Sequence, residues 1–279
     1  MKATIVIAVY NEENYLKKCL LSLAEQTFKN FEIIVVDDGS TDKTWRVLRN
    51  LNSQLSNLKM FKQQHQGPAR ARNFAAKQAK GEILVFLDGD MYFDKNFLED
   101  LLEPIRQKRS KGAFSTEEYV ANWDNFWARC WNYNWGLSGR KRIDLRRVDQ
   151  VKDFRAILKK EFNQVGGFDD IGYTDTWTLS EKLGYRPQST KGLYYHYNPA
   201  SLKEVFTQAR WAAKRRYKFG FLGKALAFLR ATPLISLVVG LKKAIEYQEP
   251  FFFFFKFIYD GGAMLGLLES CLTGENYVL

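Results

Sequence analysis

The feature that most constrains the fold is a short apolar run that ends in two acids. The run lies within residues 82–90 and ends in Asp88 and Asp90, which flank Gly89. The run is too short for a membrane-spanning helix, and its β-branched and aromatic residues predict a buried strand. Ligands in open α/β sheets gather beyond the carboxyl ends of such strands. The pattern predicts a ligand site there, although a plain acidic turn would give the same pattern.

Two carboxylates at one strand end repel each other unless a positive group lies between them. A hard divalent cation such as Mg²⁺ or Mn²⁺ prefers oxygen ligands and commonly binds together with phosphate groups. The glycine between the acids allows the backbone to approach a bulky ligand closely. These residues therefore favour a cation site that also receives phosphates.

Three further apolar strands precede this one, at residues 3–10, 31–36 and 58–62, and amphipathic helices separate all four. We expect Asn11 to cap the first helix, and Ser40 or Thr41 to cap the second. The order βαβαβαβ with short connections predicts an α/β fold with a mostly parallel, Rossmann-like sheet flanked by helices.

Polar residues follow three of these strands, at Tyr10 to Glu12, at Asp37-Asp38 and at Asp88 to Asp90. Parallel strands bring such ends to one edge of the sheet, and Arg70 or Arg72 from a nearby helix start could bind phosphate there. The first strand has no GxGxxG after it, and the chain has no Gly-Lys-Ser/Thr loop. A dinucleotide-binding Rossmann unit and a P-loop are therefore excluded.

The composition indicates the class of partner and the cellular compartment. The formal charge of +11 favours an anionic partner such as nucleotide phosphates, nucleic acid or an acidic membrane surface. The three cysteines form no CxxC pair, which excludes a zinc site of that type and favours a reducing compartment. The first apolar run is too short for a secretory signal.

Four segments together resemble the family 2 inverting glycosyltransferases of GT-A fold: Val9–Glu13, Val36–Asp42, Ala71–Asn73 and Phe86–Asp90. The resemblance implies a GDP- or UDP-sugar donor and a divalent cation, Mg²⁺ or Mn²⁺, held by Asp90. It assigns nucleotide binding to Val9, Tyr10, Glu12, Asp38, Arg70, Asp88 and Gly89, with Arg72 as the alternative to Arg70.

A second polar centre follows at Gly166-Gly167 and Asp175. The glycines allow a tight turn, and a helix that begins near Thr174 would present Asp175 to the cleft. In the family a Glu-Asp pair begins this helix, and its Asp is the general base. The resemblance therefore implies that Asp175 is the catalytic base, with Thr174 in place of the Glu. It also implies that Gly167 contributes to acceptor binding, while Asp169 and Asp170 stay rival bases.

Two aromatic segments allow two interpretations each. His196 ends a short strand, where the resemblance implies a metal or diphosphate contact and a core histidine is the alternative. The aromatic group between Trp123 and Trp135 either packs a core or lines an acceptor groove. His65 is expected at the surface.

The chain changes character after Pro199, so we predict a catalytic domain at residues 1–199. Residues 200–222 predict a basic amphipathic helix at a membrane interface. Residues 223–279 predict membrane-associating helices, with an interfacial helix or an oligomer contact as alternatives. Arg210 and Trp211 resemble part of the Gln-x-x-Arg-Trp element of processive relatives, which implies acceptor binding, although Thr207 replaces the Gln. Lysines and arginines before these helices predict that the catalytic domain lies on the cytoplasmic side of the cell membrane.

Together these expectations describe an inverting glycosyltransferase that moves mannose or glucose to a membrane lipid-linked acceptor, either a polyprenyl phosphate or a lipid-linked oligosaccharide. The alternatives are a processive polysaccharide synthase and a sugar-nucleotide-binding protein without catalysis. Nucleic acid is disfavoured as a partner, because the acidic strand ends would repel its phosphate backbone.

Overall fold

The computed structural model describes residues 1–272, apart from the side chain of Thr174. The strands are β1 (Ala3–Val9), β2 (Phe31–Asp37), β3 (Leu58–Lys62), β4 (Ile83–Asp88), β5 (Met91–Phe93), β6 (Gly112–Ser115), β7 (Glu118–Val120), β8 (Ala156–Leu158), β9 (Gln188–Thr190) and β10 (Tyr194–His196). The helices are α1 (Leu16–Ala24), α2 (Thr44–Asn52), α3 (Pro68–Gln78), α4 (Phe97–Arg106), α5 (Phe126–Asn134), α6 (Lys159–Gln164), α7 (Thr178–Leu183), α8 (Leu202–Ala213), α9 (Gly220–Arg230), α10 (Pro233–Glu246) and α11 (Phe252–Leu272). Two short 3₁₀ helices cover Leu145–Gln150 and Gly172–Trp177.

The chain divides into two compact units. The first unit comprises Met1–Tyr119, Ile143–Asp170 and Asp175–His196. The second unit comprises Val120–Arg142, Ile171–Thr174 and Tyr197–Leu279, of which the structure describes residues up to 272. The second unit therefore includes a segment before residue 143 as well as the C-terminal helices. The domain boundaries predicted at 199 and 222 stay predictions.

The first unit is built on a seven-stranded sheet in the order β3-β2-β1-β4-β8-β6-β9. The four N-terminal strands run parallel, while β8 is antiparallel to both of its neighbours. In the register of the sheet, Val9 lies opposite Asp37 and Ala8 lies opposite Asp88. The ends of β1, β2 and β4 therefore share one edge, and the predicted α/β class with a mostly parallel sheet is confirmed.

Both faces of this sheet are buried, which explains the continuous apolar strands. Ile5 and Ile7 of β1 contact the core on one side, and Val6 contacts the core on the other. On the Val6 side, α3 presents alanines, which let the helix pack close to the strands: Ala69, Ala71, Ala75 and Ala76. A smaller sheet in the order β5-β10-β7 extends from the turn after β4.

The predicted helix caps are wrong. Asn11 adopts φ +59°, a left-handed conformation that asparagine tolerates, and its side-chain oxygen accepts a 2.9 Å hydrogen bond from the Thr41 amide. It ties the end of β1 to the loop after β2, while α1 begins at Leu16 without a side-chain cap. At α2 neither Ser40 nor Thr41 caps the helix. Lys43 is the N-cap residue of α2 and makes no side-chain cap. The carboxylate of Asp42, one residue earlier, accepts a 2.9 Å hydrogen bond from the amide of Thr44, the first residue of the helix.

The second unit has its own aromatic core. Trp131 and Tyr133 of α5 are buried with Phe252 and Phe255 of α11. Tyr133 also stacks on Tyr247, with 4.4 Å between ring centroids. For these α5 residues the core interpretation is correct.

The described part of the predicted membrane segment, residues 223–272, forms helices of different length. Among residues 1–272, no single helix has both the length and the apolarity to cross a membrane. Within these residues, one pair of successive helices, α9 and α10, is long and apolar enough when the two are counted together. The two helices are bent by 66° relative to each other. Residues 273–279 of the predicted membrane segment lie outside the described residues.

Candidate active site

The turn after β4 lies against the end of β1. Asp88 is the last residue of β4, and Gly89 and Asp90 lead directly into β5. A Cβ atom at Gly89 would lie 2.8 Å from Val9 Cγ1 and 3.2 Å from Glu12 Cγ. Any larger residue at position 89 would therefore have to displace the Val9 side chain, which favours glycine at this turn.

Arg72 joins two acids that the sequence analysis assigned to different roles. Its Nη2 donates to Asp88 Oδ1 at 2.7 Å, and its Nη1 donates to Asp175 Oδ2 at 3.0 Å. Arg155 donates to the other Asp88 oxygen at 3.1 Å. The Arg72 and Asp175 side chains are almost fully buried. The guanidinium fork thus holds the predicted donor-side acid and the predicted base at one location.

The surroundings push the acidities of these two carboxyl groups apart. Burial alone would raise the pKa of Asp88, but Arg72 and Arg155 outweigh burial and hold it well below its usual range. For Asp175 burial dominates and raises the pKa to about 6, against the opposing attraction of Arg72. Asp88 therefore stays ionised, whereas Asp175 exchanges a proton near neutral pH, as a general base requires.

The rival bases are engaged elsewhere. Asp169 pairs with Lys182 at 2.7 Å, and Asp170 pairs with the exposed Arg70 at 2.7 Å. Asp175 is the acid that shares an arginine with the β4 strand end. Its assignment as catalytic base, and that of Arg70 as a nucleotide contact, stay predictions.

His196 lies between two carboxylates. Its Nε2 is 3.2 Å from Asp90 Oδ2, and its Nδ1 is 2.8 Å from Glu118 Oε1. Tyr194 donates to the other Glu118 oxygen at 2.8 Å. If the Nδ1–H of a neutral imidazole donates a hydrogen bond to Glu118, the Nε2 lone pair faces the Asp90 carboxylate, and these two acceptors need a proton or a cation between them.

This donor set fits a divalent cation. Metal-binding histidines usually donate their second ring N–H to a carboxylate, as His196 is placed to do toward Glu118. Within the described part of the chain, no group of three or more His, Cys, Asp or Glu side chains could hold a metal ion alone. A cation at Asp90 and His196 would therefore complete its coordination with phosphate oxygens and water.

The Asp38 carboxylate anchors the loop before α3. It accepts hydrogen bonds from Gln63 Nε2 at 2.6 Å, from the Gln66 amide at 3.0 Å and from the Gly67 amide at 2.8 Å. His65 Nδ1 lies 2.9 Å from its second oxygen. Asp38 thus shapes the loop at the predicted nucleotide end, and its own contact with the nucleotide stays a prediction.

His65 is not the surface residue that we expected. Its ring lies 4.2 Å from the ring of Tyr10, centroid to centroid, and its Nε2 is buried without a hydrogen-bond partner in residues 1–272. The correction follows from the anchoring of the loop by Asp38, which turns the imidazole inward. Tyr10, a predicted nucleotide-binding residue, therefore carries an imidazole against its ring.

The glycine turn and the Ala71-Arg72-Asn73 segment fit together. Gly166 and Gly167 adopt φ values of +73° and +80°. Asn73 bonds both backbone groups of Phe168, accepting from its amide at 2.9 Å and donating to its carbonyl at 2.8 Å. A Cβ atom at Gly167 would lie 2.5 Å from Asn73 Oδ1. Consecutive residues of α3 therefore hold the two acids and the glycine turn.

Arg210 and Trp211 belong to the second unit. Arg210 pairs with Glu269, with Nε 2.9 Å from Oε2, and the Trp211 ring packs edge-on against Tyr173 at 5.1 Å. Their predicted acceptor contacts, like that of Gly167, stay predictions.

Sequence reasoning missed Arg155, Glu118 and the role of Asn73. Arg155 lies within a basic stretch at residues 140–160, where a solvated surface is the simplest interpretation of the sequence. Its one local signal is its position directly before the buried strand β8. Glu118 has no comparable signal, because its partner His196 is 78 residues away.

Comparisons with known proteins identify the family of this chain. Residues 4–166 match the family described as Glycosyl transferase family 2. Glycosyltransferase GlyA of Streptococcus pneumoniae is 36% identical over an alignment of 235 residues, and the alignment covers 75% of this chain and 32% of GlyA. Poly(ribitol-phosphate) beta-N-acetylglucosaminyltransferase TarS of Staphylococcus aureus is 41% identical over an alignment of 114 residues, and the alignment covers 39% of this chain and 20% of TarS. The chain thus spans a third or less of the length of these two relatives.

Two solved structures share the fold. TarS 1–349 in complex with UDP superposes with a TM-score of 0.57 at 20% identity, covering 99% of this chain and 92% of that chain. The mannosyltransferase PcManGT of Pyrobaculum calidifontis, in complex with GDP-Man and Mn²⁺, superposes with a TM-score of 0.61 at 16% identity. The second alignment covers 98% of this chain and 88% of that chain. The GT-A-type fold expected from the motifs is confirmed.

Proposed function

Because this chain belongs to glycosyl transferase family 2, we propose that it moves mannose or glucose from a nucleoside-diphosphate sugar to a lipid-linked acceptor. The anomeric configuration inverts in this reaction. The acceptor is a polyprenyl phosphate or a lipid-linked oligosaccharide. The family resemblance inferred from the four motifs is itself established by the match over residues 4–166.

One observation carries the proposal. Arg72 bonds Asp88 at 2.7 Å and Asp175 at 3.0 Å, so an acid at the donor edge and a base that titrates near neutral pH share one guanidinium. A single base is what inverting transfer needs, whereas a glycosidase needs a pair of carboxyl groups in acid and base roles.

In the proposed step, an acceptor hydroxyl attacks the anomeric carbon from the face opposite the diphosphate. The new carbon–oxygen bond forms as the bond to the diphosphate oxygen breaks, and the hydroxyl proton moves to Asp175 Oδ. The diphosphate leaves with the electron pair of the broken bond. Arg72 keeps the Asp175 carboxylate oriented, because its Nη1 is bonded to one carboxylate oxygen.

Asp90 and His196 would hold the divalent cation. When bound, Mg²⁺ or Mn²⁺ neutralises the charge that develops on the diphosphate leaving group. Glu118 would orient the His196 ring, and Tyr194 would orient Glu118 in turn. The Mn²⁺ in the PcManGT complex supports the choice of cation.

The donor would lie along the ends of β1, β2 and β4. Val9, Tyr10, Glu12 and Asp38 would contact the base and ribose, and Asp88, Gly89 and Arg70 the ribose and phosphates. The UDP of the TarS complex and the GDP-Man of the PcManGT complex support a nucleotide sugar of either base.

We locate the reaction at the cytoplasmic side of the cell membrane. The apolar C-terminal helices and the lysines and arginines that precede them support this location. Gly167, Arg210 and Trp211 are the proposed acceptor contacts. Homo-oligomer contacts through the C-terminal helices are the alternative use of their apolar surface.

A second candidate differs only in the acceptor. TarS carries a poly(ribitol-phosphate) acceptor in its name and is 41% identical over 114 residues. Transfer to a polyol-phosphate polymer is therefore the alternative to a lipid acceptor.

The test is a donor and acceptor screen. UDP- and GDP-linked hexoses are incubated with Mn²⁺ or Mg²⁺ and either a polyprenyl phosphate or a polyol-phosphate polymer, and released nucleoside diphosphate is measured. The proposal predicts release that the polyprenyl phosphate accelerates, with one hexose added per acceptor. Acceleration by the polymer alone selects the second candidate. A product ladder would indicate a processive synthase, and donor binding without release under any condition contradicts the enzyme.

A further inference from the structure

The C-terminal helices of the second unit differ in how they are packed. On α8 the apolar stripe is buried, at Val205, Ala209, Ala212 and Ala213. On α11 the charged residues are paired, Asp260 with Lys256 and Ser236, and Glu269 with Arg210 and Lys214. Helix α8, which covers residues 202–213 of the predicted interfacial helix, and helix α11 therefore have protein partners within the unit.

Helices α9 and α10 show the opposite arrangement. No residue of α9 is buried, and α10 buries only Ser236 and Gly240. A helix of a water-soluble core buries its large apolar side chains, whereas α10 buries its small ones. The large side chains are exposed, and together they define the α9–α10 apolar surface: Phe219, Phe221, Leu222, Leu226, Leu229, Leu234, Ile235, Leu237, Val238, Leu241 and Ile245.

The exposed fractions are large enough to require a partner. Phe221 is 81% exposed, Leu234 is 73% exposed and Ile245 is 82% exposed. Single exposed apolar residues are normal on proteins, but many large apolar side chains exposed along two successive helices indicate an interaction site.

The positive charge around this surface indicates an anionic partner. Residues 205–245 contain nine lysines and arginines and no aspartate or glutamate. Arg216, Lys218, Arg230 and Lys242 among them are exposed. A second copy of the chain would bring cations against cations, whereas a layer of anionic lipid headgroups attracts them.

The length of the two helices indicates how they are oriented relative to the membrane. At about 1.5 Å per residue, the 11 residues of α9 and the 14 residues of α10 are each shorter than the roughly 30 Å core of a bilayer. The bend of 66° prevents them from acting as one straight span. Two short helices with apolar faces and basic flanks suit a position within the interface plane.

We infer that the α9–α10 apolar surface docks onto an anionic lipid membrane, with both helices in the interface plane and the flanking cations at the headgroups. The inference gives a surface and a binding mode to the membrane location in the proposed function. It does not depend on sugar transfer, and its test needs neither donor nor acceptor.

The test is co-sedimentation of the full chain with vesicles. Phosphatidylcholine vesicles are compared with vesicles that also contain phosphatidylglycerol, at low and high salt. We expect binding to the anionic vesicles, weak binding to the neutral ones, and loss of most binding at high salt. Washing bound vesicles with alkaline carbonate should release the protein, because an in-plane helix pair does not span.

Two variants test the surface itself. Leu234→Asp with Val238→Asp should weaken vesicle binding at least about tenfold, because two apolar anchors become anionic. The matched control Leu145→Asp changes an exposed leucine of the first unit and should bind as the wild type does. Arg230→Glu with Lys242→Glu should weaken binding to anionic vesicles only, compared with Arg46→Glu on α2. Circular dichroism verifies that each variant is folded.

Several results would overturn the inference. Equal vesicle binding by the Leu234→Asp, Val238→Asp variant and the Leu145→Asp control would show that the α9–α10 apolar surface does not bind the membrane. Resistance of the wild type to carbonate would contradict the in-plane position. An absence of vesicle binding, together with a dimer that the α10 variant dissociates, would assign the surface to a second copy. Transfer activity in a detergent assay would stand in each of these cases, so the proposed function is judged separately.

Discussion

Arg72 donates a 3.0 Å hydrogen bond to Asp175, although 103 residues separate them in the chain. The same guanidinium bonds Asp88 at 2.7 Å. The contact joins α3 to the short 3₁₀ helix before α7. It explains how Asp175, the proposed base, is held at the strand edge that the N-terminal half of the chain provides.

Asp175 should reduce stability at neutral pH. Its pKa is raised from 3.8 to about 6, chiefly by burial. A group with a raised folded-state pKa favours folding fully below its unfolded pKa, and that contribution is lost as the pH rises through the folded pKa. Ionised Asp175 therefore costs up to about 3 kcal/mol at pH 7. Asp175→Asn should be more stable than the wild type at pH 7, with the difference disappearing near pH 4. Urea unfolding at both pH values measures this, and a less stable variant at pH 7 would contradict it.

Arg72 should set the acid limb of the pH–rate profile. Wild-type kcat/KM should fall below a pH of about 6, because Asp175 must be ionised to accept a proton. Arg72 lowers the pKa of Asp175, so Arg72→Gln should move the limb upward by about one unit or more.

The control for this profile is Arg70→Gln, because Arg70 pairs with Asp170 instead of Asp175. Its acid limb should stay at the wild-type position, whatever its effect on the KM for the donor. An unchanged limb in Arg72→Gln would show that Arg72 does not act on the base.

Glu118 should control the cation through His196. Its carboxylate lies 2.8 Å from His196 Nδ1 and fixes the orientation of the ring. Glu118→Gln should raise the Mn²⁺ concentration for half-maximal activity by about 10- to 100-fold. Glu117→Gln changes the neighbouring acid and is the control. Titration of nucleoside diphosphate release with Mn²⁺ after chelation gives the answer, and an unchanged requirement in Glu118→Gln would exclude His196 as a ligand oriented in this way.

The two glycines of the turn should respond differently to alanine. Both have positive φ, so each substitution carries a backbone cost of about 1 kcal/mol. Gly166 has no atom within 4 Å of an added Cβ, whereas Gly167 meets Asn73 Oδ1 at 2.5 Å. Gly167→Ala should therefore lose about 1–3 kcal/mol more than Gly166→Ala in urea unfolding. Equal losses would show that the Asn73 contact does not constrain the turn.

The sheet and its acidic edge were predictable because their causes are local. A strand buried on both faces is continuously apolar, and the acids stand directly after β2 and β4. The Ala71-Arg72-Asn73 segment was recognisable as a family motif. Its partners Asp175 and Phe168 were not predictable, because they are distant in the chain. Only the fold shows which of two neighbouring arginines turns inward, and the structure gives that position to Arg72 and leaves Arg70 exposed.

The helix caps and the environment of the C-terminal helices were harder to predict from the sequence, for physical reasons. Asn11 has the side chain of a helix cap, yet its left-handed backbone turns it toward the loop after β2. An apolar helical stripe has the same period whether a protein core or lipid covers it. The burial of the stripe on α8 and the exposure of large side chains on α10 could therefore be distinguished only in the folded chain.

The most direct test of the central claim is to measure donor affinity and transfer rate in Asp175→Asn. Asp169→Asn, which changes an acid paired with Lys182, is the matched control. The account predicts that Asp175→Asn binds the nucleotide sugar as the wild type does, by calorimetry, and that its single-turnover transfer rate falls by about 10²- to 10⁴-fold. Wild-type transfer by Asp175→Asn, or loss of transfer in Asp169→Asn alone, would contradict it.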